Sequence, residues 1–92
     1  MSRIELLPAV LDTAAARPLA DMLHERLTEN EPLQLDGAAV TQIGQACLQV
    51  LLSARQAAAA RNITLSVREP SEAMTLMVTL AGCGDLVAKA EN

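Results

Sequence analysis

The residues of this chain with chemistry to offer are few: a single histidine, two cysteines and scattered hydroxyls. His24 stands beside Glu25, with Asp21 one helical turn before it. A histidine–carboxylate pair can move protons, but catalysis also needs a nucleophile or an oxyanion donor, and no motif here supplies one. There is no P-loop and no GxGxxG phosphate cradle. His24 is therefore read as a solvated residue on the polar side of an amphipathic helix. Cys47 and Cys83 are far apart in the chain and form no CxxC. A zinc site would have to borrow carboxylates to reach four ligands. Both cysteines are expected to be reduced thiols that pack as small hydrophobes, and no metal or cofactor is expected. Thr41 and Ser53 carry hydroxyls that could accept phosphate. Thr41 also fits a loop residue serving backbone groups, and Ser53 fits an exposed helix position.

Composition narrows the function further. Apolar residues make up 51% of the 92, yet there is no Phe, Tyr or Trp. The core must be built from Leu, Ile, Val, Met and Ala, and a site that stacks bases or sugars on aromatic rings is excluded. Net charge is −4, and the cations Arg3, Arg17, Arg26, Arg55, Arg61, Arg68 and Lys89 are dispersed. A nucleic-acid surface needs a basic stripe to displace counterions from phosphates, so no nucleic-acid partner is expected. The N-terminal MSRIELLPAV lacks the apolar run of a signal peptide. The most apolar stretch, Ala46 to Ala60, is interrupted by Gln49, Ser53, Arg55 and Gln56 and is too short to span a bilayer. The expectation is one domain over residues 1–92, cytoplasmic, with no direct membrane insertion and with a protein partner.

The elements that position these residues follow from periodicity. Arg3 to Leu7 reads as a short strand, with Ile4 and Leu6 on one face and Arg3 and Glu5 on the other. Asp12 or Thr13 can cap a helix running to about Glu29, with Ala15, Leu19, Met22, Leu23 and Leu27 as its apolar side. Pro18 is comfortable only near a first turn, which moves the expected start of regular helix toward Ala15. Leu33 to Asp36 is a strand, Gly37-Ala38-Ala39 a loop, and Val40 to Ile43 an extended approach to Gly44. A second helix runs from Gln45 to about Arg61 and stops at Asn62. Ile63 to Val67 alternates as a strand. Pro70-Ser71-Glu72 opens a third helix that ends at Gly82, with Ala73, Leu76, Met77 and Leu80 as its expected core stripe. Asp85 to Lys89 fits a strand or a short helix. The β-α-β-α-β-α order predicts an α/β fold, a small mixed sheet with three or four helices. Leu35, Val40, Ile43, Leu48, Leu51, Leu52, Leu65, Leu76 and Leu80 are expected to be largely buried.

The segments LQLDGAAVTQIGQACLQVLLSARQAAAARNITLSV (33–67), PSEAMTLMVTLAGCGDLV (70–87) and LPAVLDTAAARPLADML (7–23) together resemble the STAS family, the sulfate transporter and anti-sigma factor antagonist domains. The resemblance covers nearly the whole chain and implies a non-catalytic protein-binding module of bacterial signalling, with no cofactor. In anti-sigma factor antagonists the second helix opens with Asp-Ser-Ser-Gly, and the first Ser is phosphorylated. Here those positions read Gly44-Gln45-Ala46-Cys47. Gln45 has no hydroxyl, so no phosphorylation is expected at the family position. The variant ACLQVLLSA (46–54) is similar to stand-alone STAS proteins of bacterial chemotaxis clusters. The implied partner is an anti-sigma-type or chemotaxis signalling protein. The alternative is a cytoplasmic STAS accessory subunit of a lipid-transport ABC system, a class that shares the fold.

The candidate partner-binding residues are Thr41, Gly44, Gln45, Ala46, Cys47, Met74 and Val78. Gly44-Gln45 exposes helix N-terminal amides that could receive a partner's carboxylate or carbonyl, or it is a plain cap. Met74 and Val78 lie off the expected stripe of the third helix, four residues apart. They are exposed and bind a partner, or they belong to a wide buried arc.

Overall fold

A computed structural model describes residues 3–82. Cys83 and the expected Asp85–Lys89 element lie outside the described residues. The chain order is β1 (Arg3–Leu6), β2 (Val10–Leu11), α1 (Thr13–Leu27), β3 (Leu33–Asp36), β4 (Gln42–Ile43), α2 (Gln45–Ala60), β5 (Leu65–Arg68) and α3 (Glu72–Leu80). Strands β1, β3 and β5 form a parallel sheet in that spatial order, and β2 and β4 form a separate parallel pair. This is the α/β architecture expected from the alternation of elements.

The sheet buries one face. Leu33 and Leu35 of β3 pair with Leu65 and Val67 of β5, and all four are buried. Their neighbours Gln34, Asp36, Ser66 and Arg68 point to the other face and are half-buried or exposed. Helices α1 and α2 pack on each other, with Leu19, Leu23 and Leu27 meeting Leu48, Leu51, Ala54 and Ala58 in one aliphatic core. The alternation along β1 resolves in the opposite sense to its hydropathy. Glu5 sits level with buried Leu35, on the helix side, while Ile4 and Leu6 face outward. The cause is Arg26 of α1. Its Nε lies 3.8 Å from Glu5 Oε2, and its guanidinium also meets Glu25 at 3.2 Å and Glu29 at 3.1 Å.

The helix ends follow local chemistry. Asp12 Oδ1 accepts from the Ala15 amide at 3.1 Å, so α1 begins at Thr13 rather than nearer Ala15. Pro18 is tolerated inside α1 because it lies on the exposed side, where the freed carbonyl of Ala14 is open to water. At the end of α2, the Asn62 amide donates to Ala59 and the Ile63 amide to Ala58 at 2.8 Å, with Asn62 in the left-handed region at φ 61°. This is a Schellman stop, completed by burial of Ile63. Arg61 Nη1 then donates to the Leu27 carbonyl at 2.8 Å, which satisfies the open end of α1.

Helix α3 corrects the expected phase. Its buried residues are Met74 and Val78, both fully enclosed, whereas Leu76 is 61% and Leu80 is 75% exposed. Ala73 and Met77 are half-buried. The helix is apolar on nearly every side, so periodicity offers no unique inward face. The choice is made by contacts at its start. Ser71 Oγ accepts from the Met74 amide at 3.0 Å, and the Ser71 amide donates to the Gly37 carbonyl at 3.1 Å. A Cβ at Gly37 would stand 2.8 Å from Met74 Sδ and 3.3 Å from Pro70 Cα. The missing side chain at Gly37 is thus the space into which Met74 packs. Of the other residues expected in the core, Leu35, Val40, Ile43, Leu48, Leu51 and Leu65 are buried and Leu52 is half-buried.

This phase yields a paired prediction. Leu51→Ala, at a site with no solvent exposure, should cost about 2–5 kcal/mol in chemical denaturation. Leu76→Ala should change stability by no more than about 0.5 kcal/mol. A large loss at Leu76 would place that side chain in the core and contradict the phase described.

Candidate functional site

The candidate site is assembled by the short β2–β4 pair. Val10 and Leu11 run beside Gln42 and Ile43, and each strand passes directly into a helix. Two helix N-termini are thereby held next to each other. The Gly44 amide donates to Leu11 at 2.9 Å, and the Thr41 and Gln42 amides donate to Ala9 at 2.8 and 3.2 Å. The Thr41 hydroxyl adds a bond to the same Ala9 carbonyl at 3.1 Å. Thr41 therefore serves the loop backbone, as one of its two sequence readings proposed, while remaining solvent-exposed.

The two helix starts are capped differently. Asp12 closes α1 with its carboxylate, whereas α2 has no side-chain cap. The first intrahelical bond of α2 runs from the Leu48 amide to the Gly44 carbonyl. The amides of Gln45, Ala46 and Cys47 have no carbonyl within the helix. Gly44 is not demanded by space, since an added Cβ would meet only the Leu11 carbonyl at 3.8 Å. Its φ of −103° suits any residue. Gln45 is exposed and Ala46 half-buried, so the start of α2 presents backbone donors, one neutral amide side chain and no charge of its own.

Cys47, Met74 and Val78 do not join this surface. Cys47 is fully buried, and its thiol donates to the Asp12 carbonyl at 3.3 Å, linking the two helix starts from inside. Met74 and Val78 are the inward residues of α3 and belong to the wide buried arc. The expected partner role of these three is corrected on the same ground: a side chain sealed in the core cannot contact another molecule without unfolding its surroundings. Sequence reasoning missed instead the exposed pair Leu76 and Leu80. These two sit one turn apart on α3, which packs beside β4. Two leucines left in water by a helix with other apolar residues to bury are a signal available only once the phase is known.

His24 and Ser53 lie elsewhere, along an open groove of about 400 Å³ between α1 and α2 that also includes Gln49 and Val50. Both residues are exposed. Among the described residues, no group of three or more His, Cys, Asp and Glu is placed to hold a metal ion. No described helix is long and apolar enough to cross a membrane.

A family model described as Mlab, STAS domain matches residues 7–88. The chain belongs to the STAS domain family. STAS domains are generally non-catalytic, and their fold of helices on a small sheet is the one found here. A search of curated proteins returned no match.

Burial raises the pKa of the Cys47 thiol above its ordinary 9.0, and the nearby Asp12 carboxylate raises it further. The folded state thus favours the neutral thiol, and this stabilisation is full below the unfolded thiol's pKa. It is lost as pH rises through the higher folded value. Denaturation midpoints of the protein should fall above pH 9.0 more steeply than those of Cys47→Ala. Equal slopes would contradict the buried-thiol assignment.

Proposed function

We propose that this STAS domain is a non-catalytic binding module of a bacterial signalling system, and that it docks its partner on the start of α2 together with the outer face of α3. The observation that carries this reading is the exposed Leu76–Leu80 pair on the helix packed beside β4, which leads into Gly44 and Gln45. Apolar side chains surrounded by polar backbone donors form the usual plan of a protein interface, a desolvated centre with a hydrogen-bonding rim. Thr41, Gly44, Gln45 and Ala46 supply the rim. The proposed partner is an anti-sigma-type or chemotaxis signalling protein.

Gln45 stands where anti-sigma factor antagonists carry the phosphorylated Ser. A phosphate at a helix start adds nearly two negative charges and can block a docked protein. Gln45 keeps a polar side chain but cannot acquire that charge. The module is therefore constantly competent, and control resides in the partner. The second reading is an accessory subunit of a lipid-transport ABC system. It uses the same non-catalytic fold, and the Mlab description of the matching family keeps it in view.

The test begins with recovery of the complex from the native host. A signalling kinase or anti-sigma-type protein as stoichiometric partner supports the first reading, and an ABC ATPase supports the second. Gln45→Glu, Ala46→Arg and Leu76→Lys should each weaken the recovered complex. Ala46→Arg and Leu76→Lys should lower affinity about tenfold or more, the effect of placing a charge in a desolvated contact. Helix content by circular dichroism should be unchanged. Binding indifferent to all three substitutions would exclude this surface. Stoichiometric phosphate on Thr41 or Ser53 that follows signalling state would exclude constant competence.

A further inference from the structure

In β1 the hydrophobic pattern and the register disagree. Glu5 and Leu7 face the helices, with Leu7 2% exposed, while Ile4 and Leu6 face outward at 48% and 76%. A slip of one residue exchanges the two faces of a strand completely. If β1 advances one residue along β3, Leu6 takes the place of Leu7, and Ile4 takes the place of Glu5, level with Leu35. The first exchange is leucine for leucine. The second sets an isoleucine under α1 instead of a carboxylate, which apolar burial favours.

What opposes the slip is one contact. Glu5 Oε2 lies 3.8 Å from Arg26 Nε, beyond hydrogen-bond reach, and that Nε is buried with no hydrogen-bond partner among the described residues. The two Nη atoms of Arg26 donate to its chain neighbours, to Glu25 at 3.2 Å and to Glu29 at 3.1 Å. Those bonds are kept whichever β1 residue stands opposite. The advance creates slack of a single residue. It falls between β1 and β2, where Leu7 joins Pro8 and Ala9 in the connection.

We infer that β1 has two registers of similar stability, and that the Glu5–Arg26 contact selects the one seen. The choice reaches the candidate site through Ala9. Its carbonyl accepts from the Thr41 amide at 2.8 Å, the Gln42 amide at 3.2 Å and the Thr41 hydroxyl at 3.1 Å. In the advanced register the connection carrying this carbonyl is one residue longer, and it holds Thr41 and Gln42 less tightly. A partner that fixes Thr41 then favours the register seen, and the register alters the partner's affinity by the same factor. That last step rests on the docking surface proposed above; the two registers do not.

Amide hydrogen exchange, read by NMR on the full chain without a partner, reports the register. The Leu7 amide donates to the Asp36 carbonyl of β3 at 2.9 Å, and alternation puts the amide of residue 5 on the same side of the strand. Glu5→Ala removes the contact with Arg26. Protection should then pass from residue 5 and Leu7 to Ile4 and Leu6, with Leu7 exchanging about tenfold faster or more. The Thr41 and Gln42 amides should exchange faster as well. Adding Leu6→Lys should return protection to Leu7, because a lysine is tolerated at the exposed position but not in the core place of Leu7. Unchanged protection at Leu7 in Glu5→Ala would overturn the proposal. So would loss of protection along the whole strand with none gained at Ile4 and Leu6. A register shift that leaves Thr41 and Gln42 unchanged would overturn the coupling to the site. Failure of the docking surface itself is read separately, in the recovered complex.

Discussion

The structure depends on the parallel pairing of two strands of two residues each, β2 and β4. So short a ladder has little stability of its own. It is held by what surrounds it: buried Leu11 and Ile43, the Gly44 amide on the Leu11 carbonyl, and the Cys47 thiol on the Asp12 carbonyl. Because both strands run in the same direction into helices, the ladder fixes two helix N-termini side by side. The far end is fixed by one side chain. Arg61, at the close of α2, bonds the last carbonyl of α1 and the Asn30 side chain at 3.3 Å. The α1–α2 pair is thus clamped at both ends, and its aliphatic contacts fill the length between.

This constraint decides which groups the start of α2 can present at the surface. Asp12 spends its carboxylate on its own helix, and Cys47 is sealed inside, so neither is available for chemistry at the surface. What remains is shape and backbone polarity: uncapped amides at Gln45 and Ala46 and the exposed Leu76 and Leu80 on the outer face of α3. On the proposed reading, such a surface serves to recognise a protein. In the function proposed above, Gln45 at the family's phosphorylation position removes the charge switch while retaining hydrogen-bonding capacity. In that account the domain acts as a fixed docking element.

Much of the architecture was legible in the sequence because its signals were local. Asp12 and Ser71 as caps, Asn62 and Gly82 as stops, and the alternation of Leu33 and Leu35 against Gln34 and Asp36 all depend on neighbours close in the chain. The failures were tertiary. Helix α3 is apolar at Met74, Leu76, Met77, Val78 and Leu80, and the missing Cβ of Gly37, distant in sequence, decides that Met74 and Val78 face inward. In β1, the ion pair of Glu5 with Arg26 turns the polar residue toward the helices and leaves Ile4 and Leu6 outside. The α2 half of the candidate site could be found from the sequence because a family-like helix start marks it. Its α3 half could not, since leucines that look like core residues proved to be surface.

The central claim is that the uncapped start of α2 and the Leu76–Leu80 face of α3 form one docking surface. The most direct test is hydrogen exchange of the chain alone and in the complex recovered from its host, read amide by amide. The amides of Gln45 and Ala46, on exposed and half-buried residues, lack intrahelical partners and should exchange rapidly in the free protein. In the complex they should slow together with those of α3. Unchanged exchange at both segments, with protection confined to another face, would contradict the claim.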